Sequence, residues 1–579
     1  MKYRSDIDVL RTIAVLPVIF FHLGFFQNGY LGVDVFFVIS GFLITGIIYT
    51  ESIKKKFTIL NFYERRIRRI LPLVSSVIVT SLFLFIPVML PDDLENFAQS
   101  VIATNFFSNN ILLEITTSNY WDITNEYKPL MHTWSLAIEE QFYLLYPFIF
   151  IFIKSKKKII SLLILLSIIS LALYFSEFPE SYKFYYLPFR FFELSTGGIV
   201  YFISRNNVFN SKLSFLSLPF LVLILSTDFL NLNDNLFIPI TILLTSLIIL
   251  TDYKSNVFLL RFFENKLLVF FGKISFGLYM WHQIIFAFYR YTFSDDLTKP
   301  ITAFLLISLT FILSIISFYF VERPFRNKKK FSFRKVFIIV LISFIATNIL
   351  SFWMYSKAGI VRDIPELSIK SNDTNFKKHS TYNDQVRILN SNKEYNNYSL
   401  TKILVIGDSF ARDWINVLKE LRISDSFEII YIEQTSELNT DYGINLVKNS
   451  DIIFVTWMFK SDLIKFGIPE SKTFCVGTKN FGHNNGIFYN YNGLNYFSQK
   501  TKIGQEYIET NDQYESDWGE NYINIISYFV EGDKVPVFTS DSLFISQDTR
   551  HFTRGGARYF AKLIEQDFLE KFENILNDN

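Results

Sequence analysis

The chain is nearly without cysteine: its one thiol, Cys475, excludes an intramolecular disulfide. Any part exported to an oxidising compartment must therefore be held by its core alone, and about 200 residues suffice for that. Charge of either sign is not in excess either, since 56 Lys and Arg against 54 Asp and Glu leave a net +2. The bases fall in short clusters between apolar runs rather than along one soluble face, which gives no reason to expect a nucleic-acid partner. No internal repeat is evident, and no residues are assigned to a metal. The N-terminus, MKYRSDIDVLRTIAVLPVIFFHLG, is charged and then apolar like a signal peptide. It lacks the small residues of a cleavage site and more apolar runs follow at once, so it reads as a first transmembrane helix.

Apolar residues are what the chain has in quantity. Half of its 579 residues are apolar, with 66 Phe and 32 Tyr, and the mean hydropathy is +0.26; this is too apolar for a soluble domain and points to a membrane protein. Runs long enough to cross a ~30 Å hydrocarbon layer, near 20 helical residues each, lie near 7–26, 31–50, 72–90, 135–153, 158–175, 183–203, 213–229, 235–251, 266–291, 300–321 and 334–354, about eleven spans.

Loop charge orients them, because Lys and Arg accumulate in short cytoplasmic loops. Segment 51–72 carries Lys54, Lys55, Lys56, Arg65, Arg66, Arg68 and Arg69; 154–158 carries Lys154, Lys156, Lys157 and Lys158; 323–335 carries Arg323, Arg326, Lys328, Lys329, Lys330, Arg334 and Lys335. Between them, 92–131 sets Asp92, Asp93, Glu95, Glu114, Asp122 and Glu126 against Lys128, and the Ser294-Asp295-Asp296 loop is acidic too. The N-terminus is thus expected inside, and an odd number of spans puts everything after about residue 355 outside. The expected location is a plasma (inner) membrane with the C-terminal part extracytoplasmic and the lipid bilayer as partner.

After Tyr355 the composition turns polar, and 356–400 reads as a linker or extended arm. From Thr401 short apolar strands alternate with amphipathic helices: TKILVIGDSF, ARDWINVLKELR, FEIIYIEQ, DIIFVTWMF, KTFCVG, VPVFTSD and a closing ARYFAKLIEQDFLEKFENIL. That alternation predicts an α/β domain with a mainly parallel sheet over 401–579, with ligands at the carboxyl ends of its strands.

In the membrane part, Arg11 and His22 lie eleven residues apart in the first span, ~16 Å along a helix and facing broadly one way. Ionisable residues inside a span are costly and are functional candidates, although snorkelling of Arg11 and capping by His22 explain the spacing about as well. Arg65, Arg66, Arg68 and Arg69 in FYERRIRRILP suit phosphate oxygens, against the simpler reading of a topogenic cluster. HTWSLAIEEQFYLLYP brings His132, Trp134, Ser135, Glu139, Glu140 and Tyr143 to the start of one span; Trp281, His282, Glu322 and Arg323 are further polar points. Outside, Gly407-Asp408-Ser409 follows a strand and opens a helix, where a nucleophile belongs. Asp548-Thr549-Arg550-His551 precedes the last helix. His would take the serine proton while Asp orients the imidazole.

RTIAVLPVIFFH, GVDVFFVISGFLIT, FYERRIRRILP, HTWSLAIEEQFY, FGKISFGLYMWH and VERP, in this order, resemble the acyltransferase 3 family of integral-membrane acyltransferases over roughly residues 1–325. The resemblance implies catalytic roles for Arg11 and His22, acyl-CoA use near Arg65, Arg66, Arg68 and Arg69, and Glu140 in the core of the site. Ser409 with the late Asp548 and His551 resembles the SGNH hydrolases, which implies a three-layer α/β fold. Fusion of the two is a known architecture of polysaccharide and peptidoglycan O-acetyltransferases. The chain departs from the SGNH pattern in lacking a clean Gly-x-Asn-Asp. Asn480 in GTKNFG and the Ser409 amide are the expected substitutes as oxyanion donors, and the aromatic run from Phe481 to Tyr496 could stack on sugar.

The organisation expected is a transmembrane acyltransferase domain (1–355), a linker (356–400) and an SGNH-like domain (401–579). The expected activity is transfer of acetyl from cytoplasmic acetyl-CoA to a hydroxyl of a cell-envelope glycan such as lipopolysaccharide, capsule or peptidoglycan. An external esterase that removes acyl groups, and a non-enzymatic transporter of glycan or lipid, are the alternatives.

Overall fold

Each of the eleven apolar runs is helical in the computed structural model: Ser5–His22, Gly32–Ile53, Ile59–Phe85, Thr133–Phe152, Lys156–Tyr174, Leu187–Ser204, Ser211–Ser226, Asp234–Leu250, Lys266–Thr292, Pro300–Ser317 and Phe333–Ser356. A helix is what such runs must form in lipid, because it satisfies every backbone group within the segment. Among the described residues six stretches are long and apolar enough to cross a membrane: Gly29–Ile53, Ile59–Phe85, Thr133–Phe152, Lys156–Tyr174, Pro300–Arg326 and Phe333–Ser356. Ser211–Ser226 and Asn235–Leu250 are apolar but shorter. The first helix, Leu187–Ser204 and Lys266–Thr292 are diluted by charge, including Asp6, Asp8 and Arg11; Arg190 and Glu193; and Lys273 and Arg290. Phe333–Ser356 leaves Ile342, Ile345, Ile349 and Phe352 exposed along one stripe, the surface lipid would cover.

The structure describes residues 3–118, 125–205, 209–227, 234–293, 296–371, 382–383, 385–397, 399–482, 485–491 and 493–577. Asp122, Ser294 and Asp295 of the acidic loops, 372–381 of the expected linker and three positions of the 481–496 run lie outside them. The chain divides into two compact units, 1–87 with 97–352, and 88–96 with 353–579.

In the first unit, Gly32–Ile53 and Leu187–Ser204 pack backbone to backbone. A Cβ on Gly41 would stand 1.8 Å from the Leu194 carbonyl oxygen, and one on Gly197 would stand 2.1 Å from that of Val38. A buried ion triad joins the same helices, with Arg190 2.9 Å from Asp34 and 3.0 Å from Glu193. The guanidinium also lies over the rings of Phe37, Trp134 and Phe184. Losing one partner of such a group leaves an uncompensated charge, at about 3–5 kcal/mol.

The second unit is built on a parallel sheet of β1 (Thr401–Ile406), β2 (Phe427–Ile432), β3 (Ile452–Val455), β4 (Thr473–Val476) and β6 (Tyr522–Ile523), in the order β2-β1-β3-β4-β6. β5 (Lys500–Lys502) and β7 (Lys534–Pro536) form a separate antiparallel pair. Side chains alternate across the sheet. Ile403 and Val405 enter a core with the helices Ser409–Glu420 and Arg554–Asn577, while Leu404 and Ile406 enter another with Asp441–Asn449 and Gln505–Trp518. The result is three layers, helix on sheet on helix. A third core joins Leu90 to Ile360, Ile364, Leu367, Ile369, Val537, Phe538 and Phe544. Residues expected as linker thus contribute to a core. Their apolar side chains are too sparse and irregular to show a helical or strand period. Val88–Asn96, from the acidic segment 92–131 and the run before it, also belongs to this unit.

Candidate functional site

The second unit assembles a serine site from two distant segments. β1 ends in Gly407, whose φ of +140° only glycine adopts readily and whose missing Cβ would stand 2.1 Å from Thr456 Oγ1. Asp408 caps the next helix by accepting the Phe410 amide at 2.9 Å, a favoured N-cap. Ser409 is thereby the first helical residue. Its N–H is one of the orphan donors of a helix start, and its hydroxyl lies 3.2 Å from His551 Nε2. His551 Nδ1 is hydrogen-bonded to Asp548 Oδ2, and Asp548 Oδ1 accepts the amides of Arg550 and His551 at 2.9 Å each. Burial opposes ionisation of Asp548, but the imidazole and those amides outweigh it and hold the carboxyl well below the usual range. The turn between acid and base contains Thr549 at φ +111°, strain of about 1–3 kcal/mol. The Thr549 amide donates to Ser546 Oγ at 2.9 Å and its carbonyl accepts the Phe481 amide at 2.6 Å.

A set of residues that sequence reasoning missed fixes this geometry. Asp413, one turn after Ser409, accepts the Phe552 amide at 3.0 Å and lies 2.9 Å from Lys479 Nζ, with both side chains buried. Asn383 donates to the Ser409 carbonyl at 2.9 Å and to Asp413 at 2.7 Å, and accepts from Arg412 at 2.6 Å. The spacing of Asp413 from Ser409 was the available signal; Asn383 and Lys479 carried none. Asn480 is committed to its own loop, its Oδ1 accepting the amides of Gly482 at 3.1 Å and Gly504 at 2.9 Å and its Nδ2 donating to Gly482 at 3.3 Å. Among the described hydrogen bonds none joins Asn480 to Ser409 or His551.

The first unit holds a different kind of site. A cavity of about 90 Å³ is walled by Arg11, Ser40, Arg66, Arg69, Glu139 and Tyr143 together with apolar side chains such as Phe36 and Leu43. A larger one of about 600 Å³ shares Arg11 and Arg69 with it and is ringed by Arg65, Arg68, Lys273, Arg323, Arg326 and Lys328. The four arginines are not equivalent. Arg68 is held by Glu64 at 2.8 Å and by the carbonyls of Phe325 and Phe331, and Arg65 pairs with Glu51 at 2.8 Å. Arg66 lies over the Phe62 and Tyr143 rings. Arg69 lines both cavities and makes no ion pair among the described residues. Glu139, bonded to Ser40, is in the cavity wall; Glu140 is not among the lining residues and keeps one carboxyl oxygen buried without a partner. Successive helix residues are ~100° apart, so the two cannot face one cavity equally. Arg11 is 3.4 Å from Asp8. His22 ends the first helix with its carbonyl capped by Arg290 at 3.0 Å, and its ring centroid is 5.2 Å from that of His282.

Most of these residues fall within a recognised domain, Arg323, Arg326 and Lys328 lying just beyond it. A family model described as an acyltransferase domain, acyltransferase 3, matches residues 4–322. The chain belongs to the acyltransferase 3 family. It is therefore an acyltransferase, which removes the reading as a non-enzymatic transporter. Curated proteins of Staphylococcus aureus strains MSSA476 and MRSA252 named "Putative O-acetyltransferase" are 32% identical over 462 residues, covering 71% of this chain and 75% of theirs. The O-acetyltransferase OatA of Staphylococcus aureus strain MRSA252 is 30% identical over 383 residues, 59% of this chain and 62% of that protein. No solved structure gives a significant match.

Proposed function

We propose that this acyltransferase moves acetyl from acetyl-CoA on the cytoplasmic side of a plasma membrane to hydroxyls of a cell-envelope glycan outside it. The observation that carries this reading is the hydrogen-bonded Ser409–His551–Asp548 constellation in the same chain as an acyltransferase 3 domain. The O-acetyltransferase names of the relatives support the acyl group and the oxygen acceptor. The Lys- and Arg-rich loops support a cytoplasmic N-terminus and, with about eleven spans, an extracytoplasmic second unit.

The donor has a chemically suited place. Its phosphates match the ring of Arg65, Arg68, Arg69, Lys273, Arg323 and Lys328, and the adjoining narrower cavity, partly apolar, suits an acyl-bearing arm. Arg11 borders both cavities, and His22 serves as general base or acyl relay. In the second unit, Ser409 Oγ attacks the carbonyl of the delivered acyl group while His551 Nε2 takes its proton and gives it to the leaving group as the bond between acyl and donor breaks. Asp548 stabilises the imidazolium, and the Ser409 amide donates to the developing oxyanion. The acceptor hydroxyl then attacks the acyl-serine and gives its own proton to His551, which passes it to Ser409 Oγ as the acyl–serine bond breaks.

The test is acetyl-ester content of isolated envelope glycans, by mass, in cells carrying the full-length wild type, Ser409→Ala or His22→Ala. Loss in both variants is expected, and the fraction that loses acetyl names the acceptor. Unchanged acylation in His22→Ala sinks the scheme. A rise in Ser409→Ala makes the second unit an esterase.

A further inference from the structure

His22 does not stand alone. His132 comes from the start of the fourth expected span and His282 from the middle of Lys266–Thr292. The His282 ring centroid is 5.2 Å from that of His22 and 5.4 Å from that of His132. Both added imidazoles are buried, His132 1% and His282 0% exposed. The cluster adjoins the smaller cavity through Tyr279 and Ser135, which line it. The Tyr279 hydroxyl donates to the His132 carbonyl at 2.8 Å and lies 2.7 Å from Ser135 Oγ. On the first helix His22 is ~16 Å from Arg11, so the imidazoles sit well away from the basic end.

His282 has a defined tautomer. Its Nδ1 is 3.2 Å from the Leu278 carbonyl, and a carbonyl only accepts, so Nδ1 carries the hydrogen and Nε2 of the neutral ring is a bare lone pair. That Nε2 is buried with no hydrogen-bond partner. An unmet buried acceptor costs about 1–3 kcal/mol and calls for an explanation. His132 also lacks a partner of good geometry at either nitrogen, with the Met280 carbonyl alongside. Metal ligation does not explain the trio, because among the described residues no three His, Cys, Asp or Glu side chains are arranged to hold an ion.

We propose that His282, with His132 beside it, forms the acceptor-hydroxyl subsite of the membrane unit. The alcohol is that of a carrier upstream of Ser409: its O–H donates to His282 Nε2 as its oxygen attacks the acyl thioester, and Ser409 then takes the acetyl from the carrier ester. The O–C bond forms and the C–S bond breaks. The hydroxyl proton passes to Nε2 and on through His22 to the departing thiolate. This rests on the reading of His22 as the general base of the membrane unit.

The experiment measures acetyl incorporated into endogenous glycan by native membrane vesicles containing the full-length chain and supplied with radiolabelled acetyl-CoA. His282→Gln keeps an acceptor but not a base. It is expected to lower kcat by about 100-fold or more, in the range of general-base loss, with KM for acetyl-CoA nearly unchanged. Added imidazole should restore part of the rate in His282→Ala, which a merely structural role would not allow. Wild-type rates in both variants, or an unrescued loss in folded His282→Ala protein, overturn the inference. Activity retained in His22→Ala overturns the reading beneath it. An inactive His22→Ala beside an unimpaired His282→Gln overturns this inference alone.

Discussion

The polar groups at the two units' sites are in different states. In the second, the nucleophile, base and acid are joined end to end, and the supporting Asp413, Asn383 and Arg412 are bonded in turn. In the first, Glu140, His132, His282 and Arg66 leave buried polar atoms without partners. A closed chain of hydrogen bonds is preorganised for charge that develops in the reaction. Orphaned buried atoms are tolerated where something else completes them. The comparison therefore assigns a finished catalytic group to the second unit and to the first buried polar groups still open to a partner.

The sharpest way to break that comparison is to open the closed chain. Asp548→Asn keeps the shape but removes the charge that stabilises the imidazolium, and a fall of about 10³–10⁴ in acyl transfer from Ser409 is expected. The measurement is single-turnover acetyl transfer by full-length protein. A loss under tenfold would mean that Ser409 is not activated by this triad. Because Asp548 is held below the usual carboxylate range, it stays ionised through mild acid. Protonation of Asp548 should then produce no loss of rate in the wild type between about pH 4 and 5, near the ordinary carboxylate pKa.

Next in size is the pair beneath the nucleophile helix. Asp413→Ala leaves the Lys479 ammonium buried without its partner, at about 3–5 kcal/mol. Proteolysis of the second unit in urea should reveal it as a lowered midpoint. Replacing both residues with apolar ones should recover much of the loss, and failure to do so would show that the Phe552 amide contact, not charge, is what matters.

How much of this was legible differs between the units for a physical reason. Lipid imposes long apolar runs, so the helices that form over the eleven runs could be read from hydropathy, while shorter ones such as Asn109–Ser118 could not. In the second unit the alternation of apolar strands and helices gave the parallel sheet, and Ser409, Asp548 and His551 converge as their positions at strand ends implied. Asn480, Asn383 and Lys479 show the limit. An amide or ammonium acts where a loop places it, and spacing says nothing of that: Asn383 reaches partners 26 to 30 residues further on and Lys479 one 66 residues back. The core role of Leu90 was equally invisible, because its partners lie some 270 to 450 residues further on. The resemblance singled out Glu140 for the core of the site, whereas helix rotation turns Glu139 into the cavity wall.

A smaller effect tests the receptive cavity. Arg69 borders both cavities without an ion pair among the described residues, whereas Arg68 is tied to Glu64 and two carbonyls. Arg69→Gln should raise KM for acetyl-CoA by about tenfold, roughly one charge-assisted phosphate contact, with little change in kcat. Arg68→Gln should raise that KM less and chiefly lower the amount of folded protein, because the guanidinium is already tied to Glu64 and two carbonyls. The reverse pattern would assign Arg68 to the donor and Arg69 to topology.

The smallest expected effect comes from an exception inside the second unit. Asp92 lies within Val88–Asn96, and burial, with the charges of Asp548 and Glu95, pushes its carboxyl well above the usual range despite a bond from Gln547. The two carboxyls differ in cause as well as direction: His551 and two amides hold Asp548 down, while burial first, then the charges of Asp548 and Glu95, pushes Asp92 up. A carboxyl raised in the native state binds a proton that the unfolded chain has released, so stability contributed by the protonated form is lost as pH rises from the unfolded pKa through the native one. Asp92→Asn keeps the neutral form at every pH. The full-length variant should match the wild type in Tm near pH 4 and exceed it by a few degrees at pH 8. A variant that is less stable at pH 8 would mean that ionised Asp92 is held by hydrogen bonds, and that the second unit closes this polar group too.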